Sequence, residues 1–217
     1  GQTWAMSFRR GEPGVFDDSK GIAPGNPFEP FEDASQLRAI GKVAKGVTGT
    51  RIRYWADPQI FVKDAQFSID DLAARARQTA FLVPGLAINV DDQRDGKSNR
   101  QEFKFAGGIV EFANYLASDA PITSTWRLSG QGDFTETIPV LDESGDMVSR
   151  EVSRTCEVDV AVRWGTGYDT TVKSFVNIIA TPKGGTHIAG FEQALLKTIR
   201  GHIEANARKL KAGNDKV

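Results

Sequence analysis

The sequence predicts an α+β fold, in which strands are grouped along the chain and helices lie on one side of them. Two periodic segments support this class. The helix-spaced apolar positions are Ile69, Leu72, Ala73, Ala76 and Ala80. The alternating, strand-like positions are Val158, Val160, Val162 and Trp164. The sequence holds no internal repeat, so solenoid and propeller architectures are excluded.

The N-terminal quarter is rich in glycine and proline. Residues 3–10 are predicted to form a strand that turns at residues 11–14. Residues 22–47 contain three prolines and are expected to form a long loop or insertion. Residues 50–55 alternate apolar and charged side chains, which is the period of a strand with one solvated face.

Two helices and a hairpin are predicted in the middle of the chain. Ser68 and Asp71 are the expected cap of the first helix, and Pro84-Gly85 ends it. Residues 86–90 and 101–105 are predicted to pair as a hairpin around Asp95-Gly96. The second helix follows Gly107-Gly108, with one apolar face formed by Ile109, Phe112, Ala113 and Leu116.

The C-terminal half alternates strands and one long helix. Three strand-like runs are residues 125–129, 135–140 and 156–164. Residues 171–179 are predicted to form another strand, and Thr186 to cap the helix. The helix has an apolar stripe of Ile188, Phe191, Leu195, Ile199, Ile203 and Leu210. The single cysteine, Cys156, excludes an internal disulfide and is expected to be core-facing or half-buried.

Composition limits the classes of function. The formal net charge is −1 and the pI about 6.2, so the chain as a whole is not the strongly basic surface that binds nucleic acid tightly. Any DNA contact is therefore expected to be local and weak. No run of about 18 apolar residues and no export signal is present, so we expect a cytoplasmic chain that does not span a membrane.

The residues alone show no self-contained active site, and no catalytic or metal-binding residue is predicted. His187 and His202 are too few for a histidine-rich metal site, and HExxH and CxxC motifs are absent. Gly96-Lys97-Ser98 mimics the end of a phosphate-binding loop, but Asp91 stands where the first glycine belongs. Gly165-Thr166-Gly167 lacks the third glycine of a dinucleotide-binding fingerprint. Both strings are expected to be turns.

Several motifs, in order along the chain, resemble one family. TGTRIRYWADP at 48–58 is similar to the threonine strand that closes the ATP pocket in B subunits of bacterial type IIA DNA topoisomerases, the gyrases and topoisomerases IV. AFLVPGL at 80–86, GGIVEF at 107–112 and TPKGGTHIAGF at 181–191 resemble later motifs of that family. RRGEP at 9–13 resembles the hairpin before the threonine strand. The resemblance covers nearly the whole chain.

The resemblance implies two domains with a boundary at Gly107-Gly108. Residues 1–107 would be the C-terminal part of a GHKL-type ATPase domain, and residues 108–217 most of a transducer domain with a left-handed β-α-β crossover. Thr50 matches the family threonine that contacts the adenine. The intact enzyme would use ATP and Mg²⁺, dimerise through its B subunits when ATP binds, and work on DNA with the topoisomerase A subunit. This chain would relay ATP binding and hydrolysis to DNA strand passage.

The family's glutamate base, magnesium-binding asparagine and adenine-reading aspartate would precede residue 1. Its lysine for the ATP γ-phosphate would follow Val217. We therefore expect this chain alone to be monomeric, to hold neither nucleotide nor metal, and to be inactive. The interval 22–47 is longer than in the commonest gyrases, and the choice between gyrase and topoisomerase IV stays open.

A basic stripe on the last helix is the candidate DNA-facing surface. On an ideal helix its members fall within about 60° of one another. They are Lys197, Arg200, Arg208 and Lys211. Glu204 lies in the same stripe, so an ordinary solvated helix face fits equally well. Two other classes also remain open: a chaperone or mismatch-repair relative that binds proteins, and an unrelated nucleic-acid-binding α+β domain.

Overall fold

The computed structural model describes residues 1–17, 19, 21, 23–32, 37–57, 59–62, 65–94, 96 and 98–211. The chain divides into unit 1, residues 1–67, and unit 2, residues 68–217. Strands occur in both units, and the described helices lie in unit 2. This mixture confirms the predicted α+β class.

The described residues of unit 1 contain five short strands in two antiparallel sheets. β1 (Gln2–Ala5) pairs with β5 (Arg38–Lys42). β2 (Ser7–Arg9), β3 (Glu12–Phe16) and β4 (Phe28–Pro30) form the second sheet in that order. In the second sheet each strand pairs with its neighbour in sequence, whereas β1 pairs with β5 across the three strands that lie between them in the chain.

Arg9 holds one side of the second sheet. Its guanidinium carbon lies 4.9 Å from the centre of the Phe16 ring and 5.1 Å from that of Phe28. The same guanidinium donates hydrogen bonds to the backbone carbonyls of Pro24, at 3.0 Å, and Asn26. A cation over an aromatic face is attracted by the negative face of the ring. Arg9 therefore ties the loop before β4 to the two strands that carry the phenylalanines.

Three expectations for unit 1 are wrong. The first turn is formed by Arg10 and Gly11, which have φ of 50° and 88°, and residues 12–14 belong to β3. Within the described part of 22–47, β4 and β5 replace the expected continuous loop; residues 22 and 33–36 lie outside the described residues. Residues 50–55 are exposed and form no strand, because no described segment pairs with them. A strand is stabilised by its cross-strand neighbours, so alternation alone does not form one.

The first helix of unit 2 begins as predicted. α1 (Ile69–Leu82) is capped by Ser68, whose Oγ accepts a hydrogen bond from the Asp71 N–H at 3.1 Å. The helix buries a small-residue face against the neighbouring hairpin; this face consists of Ala73, Ala76 and Ala80. That hairpin, β6 (Ala87–Asp92) and β7 (Asn99–Lys104), is confirmed as antiparallel, although Asp95 of its predicted turn lies outside the described residues.

An aromatic cluster forms the centre of unit 2. Phe81 of α1 is 1% exposed. Its ring stacks at 3.6 Å between centroids on Phe105, which follows β7, and at 5.0 Å on Phe112 of α2 (Gly108–Leu116). Tyr115 lies 5.2 Å away, and its hydroxyl accepts a hydrogen bond from Arg77 at 2.9 Å. The cluster thus joins two helices and one hairpin around a single ring.

The glycine pair at the start of α2 lies close to neighbouring side chains. Gly108 has φ of 59°, and a Cβ at this position would lie 3.1 Å from Cγ of Pro84. The Gly107 N–H donates to the Glu111 carboxylate at 2.8 Å, which satisfies a free donor at the helix start. Because α1 and α2 share one core, the structural units divide at 67/68. The boundary at Gly107-Gly108 between two family domains stays a prediction.

A long two-stranded ribbon follows. β8 (Trp126–Leu141) and β9 (Met147–Val162) pair antiparallel over their whole length, so the predicted runs 125–129 and 135–140 largely merge into one strand. The register places most of the large apolar side chains on one face: Trp126, Leu128, Phe134, Ile138 and Val140 from β8, with Val148, Val152, Val158, Val160 and Val162 from β9. Cys156 shares this face but is exposed, so the expected half-buried thiol is wrong.

The segment before the last helix is a tight hairpin. β10 (Phe175–Val176) and β11 (Ile179–Ala180) are joined by Asn177 and Ile178, whose φ angles are 47° and 67°. The single strand expected over 171–179 is therefore wrong. The chain reverses where Asn177 adopts the left-handed conformation that asparagine tolerates.

The long helix is α3 (Thr186–Ala205), and a short α4 (Ala207–Leu210) follows it. The N-cap residue is Gly185, and Thr186 is the first helical residue and makes no capping hydrogen bond. The expected Thr186 cap is therefore wrong. All strand pairs among the described residues are antiparallel, whereas a β-α-β crossover joins parallel strands. The left-handed crossover stays a prediction.

A polar contact closes the base of the ribbon. The Asp119 carboxylate, after α2, accepts a hydrogen bond from the Gly167 N–H at 2.7 Å and lies 3.4 Å from the Arg163 guanidinium. Arg163 also donates to the backbone carbonyl of Asp119. A Cβ at Gly165 would collide with the Asp119 carboxylate at its present position, so a side chain there would displace this carboxylate. The Gly165-Thr166-Gly167 string begins with an isolated bridge from Gly165 to Pro121 and bends at Thr166, and its glycines make room for this carboxylate.

Replacing Phe81 with alanine should cost about 3–5 kcal/mol of unfolding free energy, because the mutation leaves a cavity among stacked rings. The measurement is urea denaturation followed by fluorescence or circular dichroism. Phe134→Ala is the matched control, since Phe134 is 51% exposed on the ribbon and should cost far less. Equal costs for the two variants would contradict this account of the core.

Hydrogen bonding from the Gly167 amide, with help from Arg163, lowers the pKa of Asp119 below its usual value. A lowered folded-state pKa gives stability that is present above about pH 4, the unfolded pKa, and is lost as pH falls through the folded pKa. Wild-type protein should therefore lose more unfolding free energy between pH 7 and pH 3 than Asp119→Asn.

Denaturant titrations at the two pH values test the Asp119 contribution. Glu192→Gln, which changes an exposed carboxylate on α3, is the control and should keep the wild-type difference. If Asp119→Asn shows the same loss as wild type, the carboxylate does not contribute in this way.

Candidate functional site

The threonine segment, residues 48–57, lies in unit 1 as an extended and exposed stretch. Thr50 is exposed, and no hydrogen bond to a described residue is assigned to it. Its neighbour Ile52 is 85% exposed. Near the end of the segment, Arg53 lies over the Trp55 ring at 5.7 Å. The structure therefore gives Thr50 an accessible side chain, and its role as the adenine contact stays a prediction.

One ion pair connects two of the recognised motifs within unit 1. Arg10, in the turn between β2 and β3, places its Nε 3.0 Å from Oδ2 of Asp57. The Arg10 side chain is 62% exposed, so this pair contributes little to stability. Its value is positional, because it fixes the end of the threonine segment beside the RRGEP hairpin. Pro58, the last residue of the threonine motif, lies outside the described residues.

The predicted basic stripe is divided by a break in the helix. Lys197 and Arg200 line a shallow depression on α3 together with Gln193, Leu196, Gly201 and Glu204. At Asn206 the backbone leaves helical geometry, with φ of −117° and ψ of 17°. Arg208 therefore lies on α4, and Lys211 follows it with φ of 50°. The ideal-helix premise that grouped all four cations is wrong beyond Ala205, although Lys197 and Arg200 remain together.

A chain of polar side chains lies at the start of α3. The hydroxyls of Ser174 and Thr181 are 2.5 Å apart, and Thr181 Oγ1 lies 3.3 Å from Nε2 of His187. The Thr181 N–H also donates to the Ser174 carbonyl at 2.9 Å. Ser174 and Thr181 are half-buried, and His187 is exposed. We call these three residues the junction cluster, because they join the β10–β11 hairpin to α3.

The part of the chain that the structure describes holds neither a metal-binding group of side chains nor a helix that could span a membrane. No group of three or more His, Cys, Asp or Glu side chains could hold a metal ion. No helix there is long and apolar enough to cross a membrane.

Sequence reasoning missed the partners in both polar contacts. The GGTH string marked the start of α3, but nothing in its spacing indicated that His187 would meet Thr181 and Ser174. Likewise, Asp119 and Arg163 are far apart in sequence and ordinary in type. The two glycines at 165 and 167 were the available signal, because a glycine pair after a strand indicates close approach by another group.

The chain matches known proteins over most of its length. The family model described as DNA gyrase B matches residues 108–217. The DNA gyrase B protein of Campylobacter jejuni is 37% identical over 173 residues, which is 80% of this chain and 19% of that protein. The DNA gyrase B protein of Enterococcus faecalis is 31% identical over 167 residues, 77% of this chain and 23% of that protein. The chain thus spans about a fifth to a quarter of these relatives.

A solved structure supports the same relationship. The 43K ATPase domain of Thermus thermophilus gyrase B, crystallised with an aminocoumarin, matches with a TM-score of 0.58 and 25% identity. The match covers 100% of this chain and 50% of that one. The family match begins at the second residue of the glycine pair that sequence analysis singled out, and it removes the two alternative classes left open above. The order of the motifs, the α+β fold and these matches together show that the chain belongs to the DNA gyrase B family.

Proposed function

We propose that this chain works as part of the B subunit of an ATP-dependent DNA topoisomerase and relays ATP binding and hydrolysis to DNA strand passage. The observation that carries this proposal is the family match over residues 108–217, which include the junction cluster and α3. Because the relatives named above are gyrase proteins, a gyrase is favoured over a topoisomerase IV. The partners would be a gyrase A subunit, DNA and a second copy of the B protein, assembled as A₂B₂ in the cytoplasm.

The division of labour follows from the residues present. When bound, ATP with Mg²⁺ supplies the free energy of phosphoryl transfer, which needs groups that orient water and offset charge on the γ-phosphate. The described residues offer the Thr50 hydroxyl and no metal site, so we assign no step of hydrolysis to them. Unit 2 offers a buried aromatic centre and a helix, α3, in which no residue is buried. We propose that the chain transmits a movement that is generated elsewhere in the complete protein.

DNA would meet the chain weakly and at α3. Lys197 and Arg200 share one depression, but Glu204 lines it too. With the net charge at −1, a pair of cations gives local attraction without a general affinity for DNA. This fits a surface that DNA passes, and it does not fit a surface that holds DNA tightly.

The 217-residue chain alone should not bind ATP measurably. One neutral hydrogen bond contributes about 0.5–1.5 kcal/mol, whereas micromolar affinity requires about 8 kcal/mol. Calorimetry with Mg-ATP should show no saturable heat up to millimolar nucleotide. Saturable binding or steady ATP turnover by this chain would mean that the nucleotide site has been misplaced.

In a complete gyrase B protein, Thr50→Ala should weaken ATP binding about 2- to 10-fold, which corresponds to loss of one neutral hydrogen bond. The effect on the rate of hydrolysis at saturating ATP should be smaller. Thr48→Ala, in the same motif, is the matched control and should leave the affinity near wild type. Equal losses in both variants would argue against a specific adenine contact by Thr50.

Duplex DNA binding by this chain should be weak and should decrease with log salt with a slope of about 2, since Lys197 and Arg200 are the two cations that stay together. Fluorescence anisotropy across a salt series measures this slope. Lys197→Glu with Arg200→Glu should abolish the binding, and Lys173→Glu with Arg150→Glu is the charge-matched control. Binding that the first pair leaves unchanged would remove α3 as the DNA-facing surface.

A further inference from the structure

The junction cluster is the main polar attachment of α3 to the rest of unit 2. Among the described residues, the contact between His187 and Thr181 is the single assigned side-chain hydrogen bond that links α3 to a residue before it in the chain. No residue of α3 is buried. The hydrogen bond that holds this helix to earlier residues therefore lies at its N-terminal end, and its apolar side chains are at most half-buried.

The glycines of the GGTH string make this contact possible. Gly184 has φ of 78°, which turns the chain sharply before the helix. A Cβ at Gly185 would lie 2.7 Å from Cε1 of His187, inside the volume that the imidazole occupies. The ring can thus fold back toward Thr181 only because residue 185 has no side chain. The GGTH residues therefore position the His187 ring as well as start the helix.

The other end of the cluster reaches the aromatic centre. Ser174 is followed directly by Phe175, whose ring lies 6.0 Å from that of Phe112. Phe112 in turn stacks on the buried Phe81. A displacement of α2 would therefore move Phe175. The movement would reach the imidazole of His187 through the hydrogen bonds of Ser174 and Thr181.

Because α3 is long, a small rotation at its N-terminal end would move its C-terminal end by a large distance. The helix has 20 residues and is therefore about 30 Å long at 1.5 Å per residue. A rotation of about 10° at its N-terminal end would move the far end by roughly 5 Å on this length. Lys197 and Arg200 lie in the second half of this lever.

We propose that Ser174, Thr181 and His187 form a hydrogen-bonded clasp that sets the direction of α3 relative to the aromatic centre. The clasp rests on the proposed relay function and assigns to it a specific set of positioning residues. His187 acts through Thr181 and has no role in the chemistry of ATP. Breaking the clasp should free α3 while leaving the fold of the aromatic centre intact.

The clasp can be tested in the 217-residue chain itself. Spin labels at Ser118, beyond α2, and Glu192, on α3, report the direction of the helix by paired-label distance measurement after Cys156→Ser. Wild type should give one narrow distance distribution. Thr181→Val and His187→Leu should broaden it, because each removes one partner of the hydrogen bond.

Conservative variants and matched controls separate the clasp from general damage. Thr181→Ser keeps the hydroxyl and His187→Gln keeps a polar group at the position of the imidazole, so both should restore the narrow distribution. Thr198→Val removes a threonine hydroxyl that bonds within α3, and His202→Leu removes the other histidine of the helix. Both controls should leave the distribution narrow. Unchanged distances in Thr181→Val and His187→Leu would overturn the clasp.

The coupling is tested in the complete gyrase B protein assembled with its gyrase A partner. His187→Leu should retain ATP turnover within about 2-fold but reduce DNA topology change per ATP about 10-fold, and His187→Gln should restore it. If His187→Leu changes DNA topology as much per ATP as wild-type protein does, the clasp is not part of the relay. If wild-type protein shows no ATP-dependent topology change, the proposed function fails, while the distance measurement still decides whether the clasp exists.

Discussion

Burial of the Phe81 ring is the constraint on which unit 2 depends. Helix α1 can place this ring at the centre only because Ala73, Ala76 and Ala80 let the β6–β7 hairpin approach closely along the same face. The rings of Phe105 and Phe112 stack on it, with distances between ring centroids of 3.6 and 5.0 Å. Aromatic pairs of this kind contribute more to the free energy of unfolding than their buried area alone, so a few rings can stabilise a small core.

The remaining elements are attached to this centre by polar contacts at specific points. Asp119 and Arg163 join the end of α2 to the base of the ribbon. Ser174 and Thr181 close the base of the β10–β11 hairpin, and Thr181 contacts His187 of α3. Both contacts use glycines where a side chain would collide with the polar group. Segments that have few buried apolar contacts are the parts of a protein that open or move most easily.

Local signals in the sequence predicted local structure well. The Ser68 cap, the β6–β7 hairpin and α2 were predicted because capping and short-range pairing involve neighbouring residues. The strand expected at 50–55 failed because a strand needs a partner that its own alternation does not specify. The strand expected at 171–179 failed at Ile178, a β-branched residue with φ of 67°, whose strand propensity is overridden by the turn. The candidate site depended on long-range partners, so its motif was recognised but its geometry was not.

Helix α3 connects these observations to function. It is amphipathic, yet Ile188, Phe191, Leu195 and Ile203 are only half-buried and Ile199 is 41% exposed. A helix held by a complete apolar face would share the rigidity of the aromatic centre and could not change direction independently of it. A helix held mainly at one end by a polar clasp can change direction at a cost of a few hydrogen bonds, each contributing about 1 kcal/mol. Coupling free energies between distant sites are typically about 1–3 kcal/mol, so a clasp of this strength is sufficient for a relay.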